Sequence, residues 1–321
     1  MDAVLPPGHT WRRPTPDDAE TFYALVAAHN TAVVGFADFT LDDARDQLTE
    51  PGFDPSVDGW LVHDAAGALV GFGWTFGNGD SDQVEGEVIA EDDHVADWLF
   101  GVVEERADEI VAALGHDGAR LGINVYRDHV AQQARAEARG YWPATTFHRM
   151  RIDHDRPVER FELPPGVEIA VGPGDGALRR EAHAVLMASF ADHFGWVQLP
   201  FDEWHARVDS AASDDWSQLK VAYVDGVPAA MLLGHNGFVA DEDCGYVRNV
   251  GVLPEYRGRG LARLLLREAF VDDARRGRQG TLLHVDTNNT TPALGLYLGS
   301  GMRPVLAVDV WLLTPETRPQ P

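Results

Sequence analysis

Arg257, Gly258, Arg259, Gly260 and Arg263 fall together in one short turn, a mix of residue types that suits either the holding of an anion or a plain solvated connection. Glycines let a backbone approach a ligand closely and adopt left-handed turns. Arginines add full charge and forked donors that match phosphate oxygens. The residues on either side set the turn in a useful place. Upstream, Val247, Val250 and Val252 give β-branched strand character, and Pro254 ends the strand because it has no N–H to donate. Downstream, Ala262, Leu265, Leu266, Ala269 and Phe270 recur with helical spacing, with Arg263, Arg267, Glu268 and Asp272 on the opposite face and Arg275, Arg276 and Gly277 at the end. A strand, a basic glycine turn and a helix in succession place free N–H groups and the positive end of a helix dipole at the turn. The spacing is not that of a dinucleotide-binding fingerprint.

A second strand, Thr281 to Asp286, runs into the polar turn Thr287-Asn288-Asn289. A helix is then expected from Thr290 or Thr291 with Pro292 in its first turn, carrying Leu294, Leu296, Tyr297 and Leu298 and closing at Gly299, Gly301 and Met302. In this order the segment 246–302 resembles the GNAT superfamily of acyl-CoA-dependent N-acetyltransferases. That family's turn pattern of Arg or Gln, two residues, Gly, one residue, Gly or Ala falls on Arg257, Gly260 and Ala262.

The resemblance implies a site for acetyl-CoA as cosubstrate. Arg257, Gly258, Arg259, Gly260, Leu261, Ala262 and Arg263 would wrap the pyrophosphate, while backbone groups of Val250, Gly251 and Val252 would pair with the pantetheine arm and meet the oxyanion. Asn289 would stand beside the coenzyme, although Asn289 to Tyr297 is a residue longer than the commonest family spacing. Tyr297 would protonate the departing thiolate; as plain structure it is a core aromatic with a satisfied hydroxyl.

Direct transfer to an amine also needs a base or a water relay, because an alkyl ammonium has a pKa of about 10. No base is evident. The strand before the turn reads Tyr246-Val247-Arg248-Asn249, without the glutamate of some tandem family members, and Asp241, Glu242 and Asp243 read as a polar loop. His284 and Asp286 share a strand face and read as structural hydrogen-bonding groups, and Cys244 as a small buried residue. Ala191 to Trp196 is aromatic and polar together, either an acceptor-shaping loop or a packing cluster.

The same program of elements occurs earlier in the chain. A helix from about Asp17, a hairpin around Asp64 to Gly67, a strand from Val84 to Ala90, a long helix stopped at Gly115, strands at Leu121 to Tyr126 and Phe147 to Ile152, and Gly140-Tyr141 in the place of Gly301-Met302 repeat it. The expected fold is therefore α+β, two tandem GNAT-like domains, each a twisted mixed sheet flanked by helices, in an arrangement that resembles mycothiol-synthase-like enzymes. The charged, proline-bearing stretch Asp153 to Gly166 marks the expected linker, giving a degenerate domain over 1–155 and the acetyl-CoA domain over 156–321. In the first copy Glu91, Asp92 and Asp93 replace the basic turn, and carboxylates there cap a helix but repel a pyrophosphate.

The 321 residues carry a formal net charge of −25, which argues against nucleic acid as a partner. Residues 51–100 hold eleven acidic side chains and no Lys or Arg, whereas 251–300 hold seven Arg against five acids. That asymmetry is either a solvated surface or an attraction for a cationic small-molecule amine in a cleft walled by the first domain. One cysteine excludes a disulfide framework and a multi-cysteine metal site, and no metal is expected. No apolar run suggests a membrane span or a signal peptide, so a cytoplasmic monomer or homodimer is expected. The expected activity is acetyl transfer to an amine of a small molecule; transfer to a protein N-terminus or lysine, and a non-catalytic acyl-CoA-binding module, are the alternatives.

Overall fold

Strands whose apolar side chains alternate, and helices with one apolar stripe, build two separate units in this chain. The computed structural model describes residues 4–173, 176–191, 196–210, 213–287 and 293–318. One unit comprises residues 1–146 with 308–321, the other residues 147–307.

In the first unit β1 (Thr10–Arg12), β2 (Gly59–His63), β3 (Leu69–Gly77) and β4 (Gln83–Ala90) pair antiparallel in that order, and β4 runs parallel to β5 (Arg120–Tyr126). Helices α1 (Ala19–Val34) and α2 (Leu41–Thr49), with the short α3 (Pro55–Asp58) between them and β2, supply Phe22, Val26 and Leu48 to a core with Leu61, Phe72 and Ile89. The long α4 (Asp93–Ala113) packs Val95, Leu99, Phe100 and Val103 into a second cluster with Val62, Val88, Leu121 and Ile123. Helix α5 (Val130–Ala138) follows β5. The expected hairpin forms at Asp64 to Gly67, where Asp64 N–H donates to the Ala68 carbonyl and Gly67 has φ of +84°. The outer partner of β5 is the C-terminal segment Val308–Leu313.

The second unit begins with the latter part of β6 (Trp142–Asp153) and continues through β7 (Val167–Val171), α6 (Gly176–Phe190), α7 (Phe201–Ser210), β8 (Lys220–Val224), β9 (Val227–His235) and α8 (Val239–Glu242). Then come β10 (Cys244–Val252), α9 (Leu261–Arg275), β11 (Gly280–Asp286), α10 (Ala293–Gly299) and β12 (Arg303–Leu313), whose last residues are the segment paired with β5. The strands order as β7, β8, β9, β10, β11, β6, all antiparallel except β10 with β11. The chain is thus divided inside strands: Phe147 to Asp153 pair with β11. The stretch from His154 to Gly166 carries no helix or strand before β7 begins.

Helix α9 buries more than one stripe. Leu261, Leu264, Leu265, Leu266, Phe270 and Val271 are all buried, and so are Glu268 and Asp273. Glu268, expected on the solvent face, is instead paired with Arg160 at 3.0 Å, and Asp273 with Arg278 at 2.6 Å. Burial is tolerable for these carboxylates because each has a guanidinium against it. Among the described residues no helix is long and apolar enough to cross a membrane.

Candidate active site

The turn after β10 takes its shape from two glycines. Gly258 has φ of +75° and Gly260 φ of +81°, left-handed values that cost a residue with a Cβ. A Cβ on either would meet nothing within 4 Å, so the space in front of the turn is open. Gly260 is the N-cap of α9 and no side chain caps that end, so the first N–H groups of the helix face the opening with their dipole.

The counterpart in the first unit is closed. The N-cap of α4 is Asp92, whose Oδ1 accepts from His94 N at 2.9 Å and Val95 N at 3.1 Å. Arg135 covers the same turn, donating to the carbonyls of Ala90 and Glu91 and to Asp93. That helix end carries its own anion.

Strand β10 opens the sheet beside the turn. It pairs with β11 only from Cys244 to Val247, while its pairing with β9 continues to Val252. The register shifts between Val247 and Asn249, so Arg248 is an extra residue that bends the strand away from its parallel neighbour. The edge of Val250, Gly251 and Val252 left free on that side borders a cavity of about 790 Å³. Its walls are β10, the glycine turn, the start of α9, β11 from Leu283 to Asp286, and α10, with Phe147, Ser189, Phe190 and Trp196 across from them. The size is that of a small-molecule site. Gly251 is needed where α6 crosses it, since a Cβ there would stand 2.2 Å from Ser189 Oγ.

Of the residues singled out from the sequence, Val250, Gly251, Val252, Arg257, Gly258, Gly260, Leu261, Ala262, Arg263 and Tyr297 all line this cavity. Arg257 donates to the Ser189 carbonyl at 3.1 Å and to the Val252 carbonyl at 3.3 Å, which ties the turn to α6 and β10. Arg263 donates to the Gly299 carbonyl and so fastens α9 to α10. Arg259 is exposed, its guanidinium over the Tyr256 ring at 5.1 Å. Asn289 lies outside the described residues, as do the expected cap of α10 at Thr290 to Pro292 and the loop residues Asp192 to Gly195.

Tyr297 is buried on α10, and burial, with the neighbouring Tyr246 hydroxyl, raises its pKa well above the ordinary tyrosine value. Its hydroxyl has no hydrogen-bond partner among the described residues. A protonated phenol at the cavity wall with an unused O–H can donate to an anion there.

Sequence reasoning passed over Tyr246 and read His284 as a structural hydrogen-bonding group. They meet across the parallel pair, with the Tyr246 hydroxyl 2.7 Å from His284 Nδ1, and both line the cavity. Burial, helped by the Arg149 charge, lowers the His284 pKa to about 4. The local signal was only the polar alternation of His284 and Asp286. The acidic stretch read as a polar loop overlaps the short α8, and in it Glu242 accepts from Arg151 at 2.8 Å and from Arg149. Cys244 is buried and its thiol pushed up to about 11, chiefly by burial, which leaves it unreactive. Among the described residues no cluster of His, Cys, Asp or Glu has the arrangement of a metal site.

Comparison with known proteins agrees with this geometry. Residues 181–302 match the acetyltransferase (GNAT) family. The mycothiol acetyltransferase of Arthrobacter sp. (strain FB24) is 27% identical over 206 residues, 61% of each chain. That of Acidothermus cellulolyticus is 26% identical over 213 residues, 60% of this chain and 62% of the relative. The matched region thus spans about three fifths of the length of these relatives. A GCN5-related N-acetyltransferase from Sphaerobacter thermophilus has the same fold, with a TM-score of 0.82 at 22% identity over 99% of this chain and 98% of that one. A tandem GNAT protein from the clavulanic acid biosynthesis pathway superposes with a TM-score of 0.73 at 14% identity, covering 98% and 100%. The chain therefore has the tandem GNAT fold, and residues 181–302, within its second unit, carry the match to the acetyltransferase (GNAT) family.

Proposed function

We propose that this protein transfers an acetyl group from acetyl-CoA to a primary amine of a small molecule, directly and at one site in the second unit. The observation that carries the reading is the free edge of Val250 to Val252 running into the uncapped, glycine-shaped N-terminus of α9, with the unpartnered Tyr297 hydroxyl on the same cavity. The mycothiol acetyltransferase relatives support acyl transfer as the chemistry.

The donor set fits acetyl-CoA. The α9 N-terminus and the Gly258 to Gly260 backbone would hold its pyrophosphate, with Arg263 adding charge. The open edge of β10 would hold the amide-bearing arm as an added strand, and a β10 N–H would meet the carbonyl oxygen. Acetyl-CoA supplies a thioester whose carbonyl an amine can attack. Tyr297 holds a proton for the sulfur, and burial keeps it from being lost beforehand. The first unit, with Asp92 and Arg135 filling the corresponding helix end, takes no coenzyme in this reading.

The test is release of free thiol from acetyl-CoA in the presence of a panel of amines, alongside calorimetry with acetyl-CoA. Turnover with a small amine is expected. Binding without turnover for any small amine, peptide N-terminus or lysine peptide would reduce the protein to a binding module.

A further inference from the structure

The acyl-transfer reading leaves one proton without a destination. When an amine nitrogen bonds to the thioester carbon it becomes cationic, and a group within the cavity must remove its proton before the adduct collapses. Strand β10 carries no carboxylate at the cavity, Glu242 on α8 is engaged with Arg149 and Arg151, and Asp241 beside it is exposed and does not line the cavity. Asp286, on the same strand as His284, also lines the cavity and, like Tyr246, has a further interaction.

Tyr246 is the polar group best fixed at this point. Its ring lies 4.5 Å from that of His235 and 5.1 Å from that of Phe238, and its hydroxyl is 2.7 Å from His284 Nδ1. His235 is itself held, its Nδ1 accepting from Gly237 N at 2.9 Å. From β6, Arg149 stands opposite His284 in the sheet register, and its charge disfavours a second cation there. Tyr297, on α10, lines the same cavity. Among the described residues His284 Nε2 has no hydrogen-bond partner. The bond to Tyr246 is therefore what orients the imidazole. With the Tyr246 O–H donating, Nδ1 is the acceptor and Nε2 carries the hydrogen.

We propose that Tyr246 and His284 form a relay for the acceptor's proton: the Tyr246 hydroxyl takes the proton from the attacking nitrogen while passing its own to Nδ1 of His284. The proposal rests on the acyl-transfer reading. The nitrogen–carbon bond forms and the relay gains one proton as imidazolium. The carbon–sulfur bond breaks and Tyr297 gives its hydroxyl proton to the sulfur. The imidazolium then returns its proton by way of Tyr246 to restore Tyr297, so the cycle closes with one proton moved from nitrogen to sulfur. Burial and the Arg149 charge keep His284 neutral, so its Nδ1 lone pair is available, and the imidazolium they disfavour is a short-lived carrier that passes the proton on. An amine in the adduct is a far stronger acid than a free ammonium, and a histidine that stays neutral throughout the physiological range is always ready to accept.

Three proteins are compared: wild type, Tyr246→Phe and His284→Asn. Asn keeps an acceptor for the Tyr246 hydroxyl but cannot take a proton, so it preserves a merely structural bond. With glucosamine and spermidine as acceptor probes, kcat is expected to fall roughly 10²-fold or more in both variants, in the range typical of general acid–base groups, while the Kd for acetyl-CoA stays within about twofold. Independently of any acceptor, ¹⁵N spectra of wild type should show a neutral His284 with its hydrogen on Nε2 from pH 6 to 8. A His284→Asn variant that keeps the wild-type kcat, or a hydrogen found on Nδ1, overturns the relay alone. A wild type that binds acetyl-CoA but releases thiol with neither probe nor any other amine overturns the acyl-transfer reading and the relay with it.

Discussion

Arg257 donates to the carbonyl of Ser189 at 3.1 Å, so the residue that opens the glycine turn is fastened to the end of α6. A second donation, to Val252 at 3.3 Å, reaches the end of β10. The guanidinium therefore shapes the turn from behind in addition to adding charge near it. Arg257→Ala is expected to weaken acetyl-CoA binding roughly tenfold, about 1.4 kcal/mol, and Arg257→Glu more, with little change in melting temperature. Calorimetry on the two variants decides; unchanged affinity in both would assign the coenzyme elsewhere.

Gly260→Asp should be more damaging to binding than its exposure suggests. The substitution places a Cβ at φ of +81° and a carboxylate at a helix start that lacks a side-chain cap. The new carboxylate would fill the anion position much as Asp92 fills it on α4. Titration with acetyl-CoA should give one site per chain in wild type and none measurable in Gly260→Asp. Two equivalent sites in wild type would contradict the closed state of the first unit.

Tyr297→Phe removes a hydroxyl and little volume. It is expected to keep acetyl-CoA affinity and to lose kcat by ~10²–10⁴-fold, the usual contribution of a general acid. Wild-type turnover in this variant would leave Tyr297 as a core aromatic of the second unit.

Burial lowers the pKa of His235 to about 3 and of His284 to about 4, against an ordinary value near 6.5. The unfolded chain therefore binds more protons than the folded one between those limits, and stability must rise with pH there. The contribution is complete above about pH 7 and is lost as pH falls toward 4. Thermal unfolding from pH 7.5 to 4.5 should give a steeper fall in wild type than in His235→Gln, which retains an acceptor for Gly237 N. Parallel curves would mean that His235 titrates normally.

A cationic acceptor would be drawn to a chain of net charge −25 whose residues 51–100 have no Lys or Arg. With such an acceptor, kcat/KM is expected to fall as salt rises from ~0.01 M to ~0.15 M, over which the screening length shrinks from about 30 Å to about 8 Å. A flat response with the best amine would leave the acidity to solubility.

The sequence by itself determined what depends on neighbours along the chain. Gly258 and Gly260 announce left-handed backbone, Val250 and Val252 a strand and Leu265, Leu266 and Phe270 a helix, because turn, strand and helix preferences act over a few residues. The repeat of that program announced two copies, and Asp92 in place of a glycine marked the copy whose helix end is capped by its own carboxylate. Tertiary structure alone decided the rest. Phe147 to Asp153 joins β11 and Val308 to Leu313 joins β5, and strand partners so distant in sequence leave no local mark. Glu268 reads as solvent-facing until Arg160 is found against it. Tyr246 reads as an ordinary strand residue and His284 as a hydrogen-bonding group with no partner named, since their pairing depends on the parallel register of β10 on β11. The bulge at Arg248 that frees the edge of β10 is likewise a property of the paired sheet, where one extra residue must be absorbed by bending.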